Sequence, residues 1–145
     1  MLEWSRYLFL AGSLPFVVLG FLHALATPRA TAEVKGLSPR DVALREAMTR
    51  DTLLLTRRTT IWRAWVGFNF SHSIGAVMFG AVVLLIGFTR ISFEEQAARF
   101  LPFAVLVCAI YLVVGLRYWF RTPIAGLLIA ESCFLASSVL FFLGR

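Results

Sequence analysis

In 145 residues the chain carries 59% hydrophobic and only 15% charged side chains, with a net charge of +6 and a mean hydropathy of +0.81. Soluble domains are about 25% charged and roughly 45–50% apolar, so this composition excludes an ordinary water-soluble domain and fits an integral membrane protein.

A spanning helix needs about 20 predominantly apolar residues, and four segments supply them: 7–26, 64–88, 100–120 and 123–143. They leave no room for a separate soluble domain. The expected fold is therefore all-α, a single domain over 1–145, built as an antiparallel four-helix membrane bundle with a cytoplasmic helical extension between spans 1 and 2. The first segment opens with Glu3 and Arg6, and its apolar run exceeds the roughly 7–15 residues of a signal-peptide core. It is expected to be retained, although Ala24-Leu25-Ala26 mimics a cleavage site. Gly12, Phe16, Gly20, His23 and Thr27 share one face of this helix.

Between the first two spans, Ser38, Pro39 and Asp41 form a capping-box pattern, which predicts an amphipathic helix over about 38–60. Leu44, Ala47, Met48, Leu54 and Leu55 are its apolar stripe, and the pairs Asp41–Arg45 and Glu46–Arg50 support it at four-residue spacing. No Gly or Pro occurs between Arg40 and Val66, so this helix either continues into the second span or bends near Thr59 and Thr60. It serves as a connector on the membrane surface or as a docking surface for a partner.

The second span contains GFNFSHSIGAVMFG, Gly67 to Gly80. Helical spacing puts Trp65, Asn69, His72, Ser73, Ala76 and Gly80 on one face and Gly67, Ser71 and Gly75 opposite, where small residues allow close backbone approach. Protein contact on both faces is expected. On the third span Ala104, Cys108, Tyr111, Gly115 and Tyr118 align. The fourth carries Glu131 with Leu127, Leu135 and Ser138, and on another face Gly126, Ala130, Cys133 and Ser137.

At 1.5 Å per residue from the cytoplasmic ends, Asn69 lies about 8 Å deep, Tyr111 about 11 Å, His72 and Glu131 about 13 Å, and His23 only about 5 Å. An ionised side chain near mid-bilayer costs about 2.5–3.5 kcal/mol and seeks a partner. Glu131 and His72 are accordingly the catalytic acid–base candidates, as an ion pair or with Glu131 neutral and donating. Asn69, Tyr111, His23 and Arg117 are ligand-binding candidates, the last two near the cytoplasmic mouth. Packing by interhelical hydrogen bonds is the plainer role for Asn69, Ser71 and Ser73.

Lysines and arginines fix the orientation. The first loop and the third turn together hold ten of the 14, against Arg6, Arg90, Arg99 and Arg145 on the other side. The first loop is expected in the cytoplasm and both termini outside, with anionic lipid rather than nucleic acid as the basic residues' counterpart.

Three readings follow. The first is a site that binds a lipophilic small molecule, or acts on it by acid–base chemistry, in a cavity open to the cytoplasmic leaflet. The second is a non-catalytic accessory or assembly subunit of a larger membrane complex, packed against a partner or against copies of itself. The third is haem held by His23 and His72, for which the estimated difference in depth is awkward. Metal-ligand spacing, CxxC, a phosphate loop, GxSxG and HExxH are all absent. Without an internal repeat or broken helices, an ordinary secondary transporter is not indicated.

The block TRRTTIWRAWVGFNFSHSIGAVMFG, Thr56 to Gly80, resembles a family of small bacterial four-span membrane proteins, most specifically from its Trp-Arg-Ala-Trp to its Ser-His-Ser. The resemblance extends over most of the chain, including His23. It implies a bacterial inner-membrane location and the four-helix fold, and no activity.

Overall fold

The computed structural model describes residues 1–144. The described residues are 79% helical, in five helices: α1 (Leu2–Ala26), α2 (Val42–Arg50), α3 (Ile61–Phe88), α4 (Arg90–Tyr118) and α5 (Arg121–Leu143). Between α2 and α3 lies an antiparallel hairpin of β1 (Thr52–Leu53) and β2 (Thr56–Thr60). Helices α1, α3, α4 and α5 are long and apolar enough to cross a membrane, with windows of mean hydropathy between 1.9 and 2.3. Only 22–33% of the residues in those windows are buried within the chain. Phe68, Leu85 and Val113 are 74%, 72% and 68% exposed. So large an apolar exterior is incompatible with water and suited to hydrocarbon; it is the surface of a multi-pass membrane protein.

Two sets of residues each pack internally, 1–19 with 76–144, and 20–75. In the first set the core is aromatic. The ring of Phe134 lies 5.9 Å from Phe9, 6.5 Å from Phe16 and 6.3 Å from Phe79. Ser5 and Ser137, both fully buried, exchange hydrogen bonds: each hydroxyl donates to the other's backbone carbonyl at 2.7 Å. Interhelical bonds of this kind contribute about 0.6 kcal/mol on average and about 1.7 at most. Later positions of α1 meet earlier positions of α5, with Gly12 against the Phe134 ring and Leu19 against Gly126. The guanidinium of Arg6 donates to the carbonyls of Gly87 and Phe88, both at 3.2 Å, satisfying the end of α3. Glu3 holds Arg6 at 3.1 Å and lies 3.5 Å from Arg90, which also pairs with Glu94 at 2.6 Å.

Helix α4 begins ten residues earlier than the span expected over 100–120. Thr89 caps it, its side chain accepting from the Ser92 N–H at 3.1 Å. Phe93, Ala97, Leu101, Ala104 and Cys108 form one buried stripe, so the charged stretch around Glu94, Glu95 and Arg99 is the outer face of an amphipathic helix rather than a loop.

In residues 20–75 the helix expected over 38–60 occupies only Val42–Arg50. Its N-cap is Asp41, whose carboxylate accepts from the Ala43 N–H at 2.9 Å. Ser38, the expected cap, is engaged in the preceding loop, accepting from the Lys35 N–H and donating to the Glu33 carbonyl. In that loop the Arg29 backbone N–H and Lys35 hold the exposed Glu33 carboxyl below its usual range. After Arg50, Asp51 accepts from the Thr52 and Ile61 N–H groups, closing the base of the hairpin. Thr52, Thr56, Thr59 and Thr60 are β-branched and favour extended backbone. That local preference outweighs the absence of Gly and Pro, and helix does not continue into α3.

Two glycines of α3 differ in what surrounds them. A Cβ on Gly80 would lie 2.6 Å from Val17 Cγ2 and, against backbone, 3.0 Å from Ser13 O and 3.2 Å from Val17 N. A Cβ on Gly67 would meet nothing within 4 Å. Gly67, Ser71 and Gly75 are all exposed, so the close-packed ridge expected there is not packed by this chain, whereas Ser73, Ala76 and Gly80 on the other face are buried. Gly80→Ala should lower stability by roughly 1–3 kcal/mol in detergent unfolding, as overpacking does. Gly67→Ala should stay within about 0.5 kcal/mol of wild type. A Gly80→Ala protein as stable as wild type would refute the close contact of α1 with α3.

Candidate functional site

The polar residues that helical spacing aligned on α3 meet a histidine of α1. His23 lies three residues before the end of α1, and its carbonyl accepts from the buried Thr27 hydroxyl at 2.8 Å, which fixes the last turn. On α3, Asn69 donates through Nδ2 to the Trp65 carbonyl at 2.8 Å, one turn back. That bond turns Oδ1 outward, to 2.9 Å from His23 Nε2. An amide oxygen only accepts, so the network assigns the Nε2 proton to His23 and leaves Nδ1 as the acceptor of the neutral ring. Ser73, buried, donates to the Asn69 carbonyl at 2.9 Å.

His72, one turn beyond Asn69, packs its ring against His23 with centroids 5.1 Å apart and planes at 67°. Two imidazoles from two membrane-spanning helices are thus in edge contact, one of them oriented by an amide. A hydroxyl or a water held by both rings could pass a proton from one to the other.

Counted by helical rise from the expected span ends, His23 lies at the mouth of the site and His72 in its depth, roughly 8 Å apart in level. Their contact corrects that estimate. Helix α3 begins at Ile61, so Asn69 stands about 12 Å from its start while His23 stands about 4.5 Å from the end of α1. The start of α3 therefore projects about 7–8 Å beyond the end of α1 at this rise. Trp62 and Trp65, with ring centroids 5.4 Å apart, flank Arg63 in the extra turns. An aromatic pair beside a cation marks a membrane–water boundary, a signal that would have lengthened the span.

Glu131, Tyr111 and Arg117 belong to the other packed set, 1–19 with 76–144. Glu131 Oε2 is buried and has no hydrogen-bond partner among the described residues. The Cys108 thiol lies beside the Glu131 carboxyl and donates to the Leu127 carbonyl at 3.5 Å. Tyr111 packs between aromatic rings, 5.6 Å from Phe16 and 6.2 Å from Trp119. Arg117 is exposed in the last turn of α4, where a cation complements the helix dipole.

For haem, two axial imidazoles must stand on opposite faces of one macrocycle with a nitrogen of each aimed at the iron. Here the rings touch each other and Nε2 of His23 is bonded to Asn69, an arrangement that does not fit the group. Among the described residues, no group of three or more His, Cys, Asp or Glu is gathered to hold a metal ion. Compared with known proteins, the chain matches no family model, no curated protein and no solved structure.

With only two histidines in the chain, nitrogen NMR can read both rings in bilayers. The neutral His23 ring should be held as the Nε2–H tautomer, and Asn69→Ala should release it to a tautomer mixture. An unchanged His23 spectrum in Asn69→Ala would remove the amide from the site.

Proposed function

We propose that this chain is an antiparallel four-helix bundle of the bacterial cytoplasmic membrane, its first loop cytoplasmic and its termini outside. We further propose that it binds a lipophilic small molecule at His23, Asn69 and His72, with the two imidazoles acting on it as acid and base. The observation that carries this reading is the contact of the His23 and His72 rings with His23 oriented by Asn69. Purely structural glue needs one donor and one acceptor, and the Asn69–His23 bond already supplies them; the second imidazole adds proton-handling capacity that packing does not require. The position suits an amphiphile. His23 stands about one turn from the end of α1, so a polar head there would reach the interface while its tail lies along the apolar helix surfaces.

A second reading has its own support. The Gly67, Ser71 and Gly75 face is exposed, and small residues at that spacing suit another transmembrane helix. On this reading the chain is an accessory subunit or a homo-oligomer.

Native mass spectrometry of protein extracted gently from its own membranes tests both. Wild type should carry a discrete small mass that His72→Ala and His23→Ala lose, with insertion intact. Equal retention of that mass by both variants would overturn the site. A chain that arrives with other polypeptides and no small mass would favour the accessory reading.

A further inference from the structure

We infer that the tip of the hairpin, Leu54 and Leu55, dips into the acyl boundary of an anionic lipid leaflet while Arg50, Arg57 and Arg58 engage its phosphates. Leu54 and Leu55 are 110% and 92% exposed, the most exposed large apolar side chains among the described residues. They form the two-residue turn between β1 and β2. Arg57 and Arg58 follow on β2 and are exposed, as is Arg50 before β1. Arg50 has only a loose contact with Glu46, at 3.8 Å. Helix α2, leading into the hairpin, buries none of its residues. The α2–hairpin segment thus presents an apolar tip flanked in sequence by exposed cations, with arginines outnumbering carboxylates five to three over 38–60.

The placement of the hairpin in the chain selects lipid as the occupant. Strand β2 ends at Thr60 and α3 begins at Ile61, with nothing between them. Helix α3 has 28 residues, about 42 Å at 1.5 Å per residue, against a hydrocarbon core of about 30 Å. About eight of its residues therefore lie outside the core, and the exposed Arg63 and half-buried Trp65 are suited to the headgroup level. A five-residue strand spans about 17 Å, so the tip lies within that distance of the start of α3 and within reach of the leaflet into which α3 descends. Apolar side chains anchored at that level gain by entering the acyl boundary, and each arginine near an anionic surface strengthens the attachment.

The test uses the full chain in lipid nanodiscs, with Cys108 and Cys133 replaced by alanine and a nitroxide attached at Leu54→Cys or, separately, at Leu55→Cys. A third label at Val34→Cys, on an exposed loop residue, is the water-facing reference. Power saturation compares access by oxygen, which prefers lipid, with access by a water-soluble nickel chelate. In discs containing phosphatidylglycerol the oxygen-to-nickel ratio at 54 and 55 should exceed that at 34 several-fold. Arg57→Glu with Arg58→Glu, or discs of phosphatidylcholine alone, should bring it down towards the reference. A ratio equal to the reference in anionic discs would overturn the inference. So would a label shielded from both reagents, which would mean that protein, a second copy included, covers the tip. Neither outcome bears on the imidazole site, which the mass measurement tests separately.

Discussion

Hydrocarbon offers no partner to a polar group, so every donor and acceptor inside a span must be satisfied by the protein itself. The hydroxyls of this chain obey that constraint economically. Ser13 donates to the Leu10 carbonyl, Ser71 to Phe68, Ser132 to Leu128 and Ser138 to Phe134, each within its own helix. Such residues are polar in sequence and carry no message about neighbours. The bonds that leave the helix are therefore the informative ones. Among those of the spans, Ser5 with Ser137 ties α1 to α5, and His23 with Asn69 ties α1 to α3.

Asn69 shows how one side chain answers both demands. Its amide nitrogen satisfies its own helix at Trp65, and its oxygen then has one direction left, towards His23. The imidazole is oriented by a group that is itself locked, the arrangement that a site for binding or proton transfer requires. Glu131 is the contrasting case. One carboxyl oxygen is buried without a hydrogen bond among the described residues, and its neighbour is a thiol, a weak donor.

The four long helices were legible because an apolar run of that length has no other stable home. Their ends were not. Arg90 to Arg99 reads as a polar loop until the four-residue spacing of Phe93, Ala97 and Leu101 is followed into the span. The helix after Ser38 was legible, but its cap was displaced to Asp41 because Ser38 is bonded to the loop before it. Its far half became a hairpin through a cluster of threonines, a local preference that a search for Gly and Pro does not detect. On α3 the alignment of Asn69, His72 and Ser73 was plain from helical period. The partner of that face was harder to read, since equating the cytoplasmic ends of α1 and α3 hid the extra turns of α3 and put His23 at the wrong level.

The connections also determine where the chain can change. A single residue, Thr89, separates α3 from α4, and two, Trp119 and Phe120, separate α4 from α5. Joints this short leave no slack, and Thr89 is occupied in capping α4. The connection between α1 and α3 is long by comparison, with exposed positions on either side of α2. Tolerance to added sequence concentrates where backbone is exposed and loosely held. Between the spans, added length is therefore best accommodated in this one connection, the same stretch that carries seven of the chain's 14 lysines and arginines.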